Sequence, residues 1–103
     1  MIHVLAIITT RPGMRDTVLA AFRENMPAVH AEPGCIEYAP GIDAEGLSPH
    51  HTALGPDSFV VIEKWASMDA LRAHAAAPHM AAYAARTREH VASRVIHVLQ
   101  SAA

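Results

Sequence analysis

A single cysteine, Cys35, stands in the chain, so no internal disulfide framework supports the fold. Aromatic residues are scarce: Trp65, Tyr38, Tyr83, Phe22 and Phe59 make up 5% of the sequence. Alanine, which buries little area per residue, fills much of the apolar remainder. No apolar run approaches the ~20 residues that a membrane span requires. The apolar start from Met1 to Ile8 lacks a basic leader and runs straight into Thr9-Thr10-Arg11. It reads as a strand and not as a secretory signal, and a soluble, cytoplasmic protein is expected. Charge of one sign is lacking too. The formal net charge is -2, which leaves no basic excess to bind nucleic acid or an anionic membrane. Gly34, Gly41, Gly46 and Gly55 are isolated from one another, so no phosphate-cradling glycine loop is present.

What the chain does have is a folded composition. Its 103 residues are 51% hydrophobic and 17% charged, which specifies one globular domain over 1–103 and excludes a disordered polymer. A chain of this size buries roughly two-thirds of its surface. With so much alanine the core is thin, and a partner subunit is expected to add burial. Histidine is abundant: the eight His equal Lys and Arg together.

Ile2 to Thr10 is rich in β-branched residues and largely apolar, the pattern of a strand buried on both faces. Arg11-Pro12-Gly13 is a turn. Met14, Val18, Phe22 and Met26 then share one helical face, and Pro27 is expected to end or kink that helix. Glu32-Pro33-Gly34 is a second breaker. Cys35 to Ile42 reads as a strand with Ile36, Tyr38 and Ile42 on one face and Cys35, Glu37 and Ala39 on the other. Pro40 and Gly41 mark it as an edge or bulged strand. Asp43 to Asp57 is a long loop, part of which is expected to add a short strand. Ser58 to Trp65 alternates cleanly, with Phe59, Val61, Glu63 and Trp65 on one face.

Ser67 is a good N-cap for a short helix with Met68, Leu71 and Ala75 inward. Pro78 suits the first position of a further helix, whose apolar stripe is Met80, Ala84, Thr87 and Val91, with His79, Tyr83 and His90 alongside. Arg94 to Gln100 is the last strand. The order is β-α-β-β-α-β, a ferredoxin-like α+β arrangement: an antiparallel sheet with helices on one face. A sheet apolar on both faces predicts a homodimer packed sheet against sheet.

Several segments occur together in a telling order: Arg11-Pro12-Gly13, Glu32-Pro33-Gly34-Cys35, Tyr38-Ala39-Pro40, Asp57-Ser58 leading to Ile62-Glu63-Lys64-Trp65, Ala70-Leu71-Arg72-Ala73-His74, and Pro78-His79-Met80-Ala81-Ala82-Tyr83. The series resembles the antibiotic biosynthesis monooxygenase superfamily of dimeric α+β barrels, and within it the bacterial quinol monooxygenases. The resemblance runs from Val4 to Leu99. It implies a homodimer with a pocket in each subunit between sheet and helices. It also implies oxidation of a hydroquinone or polycyclic phenol to a quinone by dioxygen as co-substrate, with no metal, flavin or haem.

That chemistry needs an apolar pocket for a flat ring, a base that favours the substrate anion, and donors for charge developing on oxygen. His74 and His79 are the candidates for proton transfer, because an unperturbed histidine titrates near ~6.5. They flank Pro78, which is expected to turn both toward one cavity; otherwise they cap helix ends or face water. Tyr83 lies four residues after His79 on the same helical face and is a candidate donor to a substrate oxygen, or a core aromatic. Trp65, Glu63 and Tyr38 are candidate substrate-binding residues. Trp65 is equally a packing residue, and a carboxylate such as Glu63 in an apolar strand needs a partner, an arginine or a helix N-terminus by expectation. Arg86 and Arg94 read as solvated or paired.

Other functions are weighed against this one. The haem-degrading branch of the superfamily implies an asparagine on the first strand, a tryptophan in the first half of the broken helix and an axial histidine beyond it. The matching positions here hold Ala6 or Ile7, His74, and Tyr83 or Ala84. No H-x-x-x-H or H-E-x-x-H spacing suggests a metal site. The alternative outside enzymology is a dimeric small-molecule-binding or stress-associated module of the same fold.

Overall fold

The computed structural model describes residues 1–46 and 48–103. The elements are β1 (Ile2–Thr10), α1 (Arg15–His30), β2 (Cys35–Gly41), β3 (Ser58–Trp65), α2 (Met68–Ala75), α3 (Pro78–Thr87), a short 3-10 turn over Arg88–His90, and β4 (Val91–Leu99). All strand pairs are antiparallel and the sheet order is β2-β3-β1-β4. This is the β-α-β-β-α-β order read from the sequence, with the second helix divided at Pro78. No helix among the described residues is long and apolar enough to cross a membrane.

One face of the sheet meets the helices. Val4, Ala6 and Ile8 of β1 pair with Glu63, Val61 and Phe59 of β3, and these side chains are buried with Val18, Leu19, Phe22 and Val29 of α1. The other face is only half covered. Leu5 and Ile62 are each 39% exposed, Leu99 45% and Val95 48%. In the single chain β1 is therefore buried on one face and not on both, because the helices all lie on that face.

Four further expectations are corrected. The first helix continues through Pro27 to His30. Proline removes the N–H that the Arg23 carbonyl would accept, but Arg23 and Pro27 are both exposed, so the loss falls on the solvent side of the helix, where it costs least. The second strand ends at Gly41 and carries a bulge between Cys35 and Glu37. The extra residue, Ile36, is 53% exposed, while Cys35 pairs with Trp65 and Tyr38 with Glu63. The bulge thus places Cys35 and Tyr38 on the same inner face, against the simple alternation. The last strand starts at Val91, because the 3-10 turn ends α3 before His90 and Val91 can extend its stripes. Residues 43–46 and 48–57 hold no strand; the strand expected there lies outside the described residues only at position 47. This loop is pinned by side chains. The Asp43 carboxylate accepts the N–H groups of Leu54 and Gly55 at 2.8 and 2.9 Å, and Asp57 accepts that of Gly13 at 2.9 Å.

Candidate active site

Between the inner face and helices α2 and α3 lies a cavity of about 510 Å³. Its walls are mostly apolar: Val4, Ala6, Ile8 and Val61 from the sheet, Leu71 and Met80 from the helices, and a run of alanines. Met68, Leu71 and Ala75, read as inward, all line this cavity, with Met68 and Ala75 still exposed; the residue of α2 that is buried is His74. The polar groups on the wall are His74, Glu63, Tyr38, Tyr83, Arg72 and Arg94.

His74 is placed by a short chain of local causes. The Ser67 hydroxyl accepts the Ala70 N–H at 3.1 Å and starts α2. The Ala66 N–H donates to the Gly34 carbonyl at 2.8 Å, tying the start of α2 to the turn after α1. Gly34 adopts φ +83°, and a Cβ there would stand 2.7 Å from the Ala70 Cβ. Only glycine lets the turn approach α2 this closely. The approach brings Glu32, two residues earlier, beside the end of the helix.

There Glu32 Oε2 lies 2.9 Å from His74 Nδ1 and 3.0 Å from His79 Nε2. One carboxylate oxygen accepts from both rings. The His74 side chain is 7% exposed, that of Glu32 12% and that of His79 29%. With Nδ1–H donated to Glu32, the lone pair of neutral His74 sits on Nε2, 4.0 Å from Glu63 Oε1. This is the carboxylate–histidine arrangement that fixes a tautomer and orients a general base. The His74 ring is held between Trp65, centroid to centroid 4.6 Å, and Tyr38 at 5.4 Å.

Glu63 accepts the Trp65 indole N–H at 2.9 Å, so its partner is an indole and not an arginine or a helix N-terminus. Burial pushes its carboxyl pKa up, against the opposing pull of Trp65 and His74. Tyr38 stacks on Phe22 at 5.0 Å. Its phenol is pushed far above the usual range by burial first and by Glu63 second. Tyr83 meets Phe22 edge-on at 6.1 Å; burial raises its phenol and Arg94 partly offsets this. Both tyrosines therefore keep their O–H near neutrality. Burial, then Glu32 and Glu63, raise the Cys35 thiol, which makes it a poor nucleophile. Among the described residues no three His, Cys, Asp or Glu side chains converge as metal ligands.

The family model for antibiotic biosynthesis monooxygenases matches residues 1–86. The chain belongs to the antibiotic biosynthesis monooxygenase family. It is similar to a protein of Escherichia coli K12 named "Probable quinol monooxygenase YgiN", 43% identical over 97% of each chain. It is also similar to two solved structures. Rv0793 from Mycobacterium tuberculosis is 26% identical, with TM-score 0.78, covering 97% of this chain and 93% of that one. A crystal structure of an antibiotic biosynthesis monooxygenase is 25% identical, with TM-score 0.82 over the whole of both chains. Together these relatives support a monooxygenase.

Within this family member, the six candidate residues do not all reach the cavity. His74, Tyr83, Glu63 and Tyr38 line it. His79 instead meets His74 through Glu32, outside the cavity lining. Trp65 is fully buried behind the wall, where it packs on His74 and holds Glu63. The sequence reading missed Glu32, taken only as part of a breaker, and Arg94, taken as solvated or paired. The signal for Glu32 is a carboxylate beside a glycine that must sit close to a helix bearing histidine.

Proposed function

We propose that this protein is a cofactor-independent monooxygenase that oxidises a hydroquinone or polycyclic phenol to a quinone. The observation that carries the reading is His74: its ring lines a largely apolar cavity, and its Nδ1 is held by the part-buried Glu32 carboxylate. His74 Nε2 takes the proton of a bound hydroxyl, and the electron-rich anion then reduces dioxygen. From a hydroquinone with an open ring carbon, one oxygen atom of dioxygen bonds to that carbon and the other leaves as water with two of the displaced O–H and C–H hydrogens, giving a hydroxyquinone. From a phenol with an open para carbon, one oxygen atom bonds to that carbon. The O–H and C–H hydrogens leave with the second oxygen atom as water. Tyr38 and Tyr83 supply O–H donors for charge developing on oxygen, and Glu63, whose pKa burial raises, is held by the Trp65 indole N–H. His79 supports the base through Glu32, and Trp65 backs the ring.

The reading includes dioxygen as co-substrate and no metal, flavin or haem. It includes a second copy of the chain on the half-exposed outer sheet face. It also includes a cytoplasmic setting, in keeping with a lone free thiol. The test is dioxygen uptake with a reduced naphthoquinol and product mass after labelled dioxygen, with an anaerobic control. The wild type is expected to turn over faster than a His74→Ala, His79→Ala double variant of matched folding. Equal rates overturn the assignment of these residues, and ligand binding without uptake favours a binding module.

A further inference from the structure

We propose that a concavity beside the cavity, lined by Arg88 and Arg94, is a subsite for an anionic substituent on the aromatic substrate. It rests on the reading of the main cavity as the seat of an aromatic hydroxyl compound. The concavity measures about 540 Å³ and is lined by Ala81, Ala84, Ala85, Val91 and Ser93 besides the two arginines. It shares Ala81, Ala84, Val91 and Arg94 with the cavity, so the two spaces adjoin along α3 and β4. Its charged lining residues are both cations. Among the described residues neither forms an ion pair, whereas Arg72 is paired with Asp69 and Arg86 with Glu24. The acid next to Arg88 in sequence, Glu89, lies 3.5 Å from His90 Nε2. Arg88 and Arg94 also fall beyond residues 1–86, the part that the family model matches.

The layout gives the ligand a length and a polarity. Glu63 faces Val4 across one strand step, and Arg94 faces Ile8 across the next. Two interstrand steps and four residues of rise put their backbones roughly 16 Å apart. The long Arg94 side chain spans part of this. What remains suits a bicyclic aromatic with its reacting hydroxyl at His74 and an acid group on the remote ring. Guanidinium groups bind carboxylates and sulfonates through paired N–H donors. Among the described residues Glu63 is the one carboxylate on the cavity wall, and it lies at the opposite end from Arg94.

Anaerobic calorimetry on the full chain tests the subsite by binding alone. The probes are a naphthol and the hydroxynaphthoate with its carboxylate on the ring remote from the hydroxyl. The wild type is expected to bind the naphthoate about tenfold more tightly than the naphthol at low ionic strength. That preference shrinks in about 0.5 M salt, as screening requires. Arg88→Gln and Arg94→Gln each reduce it, the double variant abolishes it, and Arg94→Lys retains part of it. Equal affinities, or a preference that survives the double variant, overturn the subsite. Failure of both probes to bind overturns the aromatic cavity itself and the subsite with it. Binding with the expected preference but no dioxygen uptake leaves the subsite standing and overturns the oxidation reading.

Discussion

At the scale of single residues, the decisive pair is His74 and Glu32. If Glu32 fixes the His74 tautomer, its replacement damages the base without touching the cavity wall. Glu32→Gln is expected to lower kcat by about 10- to 100-fold with little change in KM, the range typical for groups that orient a reactive histidine. His74→Gln loses about 100-fold or more as a missing general base. Nitrogen-15 spectra separate orientation from mere folding: the wild type shows the Nδ1–H tautomer of His74, and Glu32→Gln shows a mixture. Unchanged tautomer populations in Glu32→Gln would sink the positioning role.

Glu63 makes a second residue-scale prediction through its raised pKa. The folded state holds the proton more tightly than the unfolded state. Stability from this group is therefore present at low pH and lost as pH rises from the ordinary carboxylate value through the raised one. Glu63→Gln keeps an acceptor for the Trp65 indole but cannot ionise. The difference in Tm, variant minus wild type, is expected to grow as pH rises from acid toward neutral. Taking the difference removes Asp43 and Glu24, whose lowered values act in the opposite sense. A difference independent of pH would rule out Glu63 as the source.

At the scale of elements, much was legible because local rules acted alone. β3 alternates as read, Ser67 caps α2, and Pro78 opens α3. Cys35 and Tyr38 were read onto opposite faces because one bulged residue inverts a strand's pattern, and nothing local to Cys35-Ile36-Glu37 announces it. Glu32 was missed for a different reason: its role exists only after Gly34 packs on Ala70, a contact 36 positions apart in the chain. Pro27 shows packing on one side of a helix outweighing propensity, since Val29 beyond it is fully buried. Pro27→Ala, which restores the lost N–H, is expected to stabilise the fold by about 1–3 kcal/mol in urea unfolding. Gly34→Ala is expected to cost about 1–3 kcal/mol from overpacking and positive φ. It should lower activity beyond the stability loss, because moving α2 from the turn separates His74 from Glu32.

For the whole molecule, the question is what the outer sheet face does. Leu5 and Ile62 pair across β1 and β3, and Val95 with Ile7 across β1 and β4. Leaving such side chains half exposed forfeits on the order of 1 kcal/mol each, and a second copy laid on the same face recovers it from both subunits. In a two-fold interface every substitution acts twice. Ile62, 39% exposed with Leu5 and Ala39 as its cross-strand neighbours, lies on the sheet face opposite the cavity and is not among the cavity's lining residues. The wild type is expected to sediment as a dimer at micromolar concentration. Ile62→Glu places a carboxylate from each subunit in the apolar interface, and it should sediment as a monomer with unchanged far-ultraviolet dichroism and a lower Tm. A variant that remains dimeric would mean that the outer face is not the interface. The apolar stripe of β1, β3 and β4 would then need a different partner.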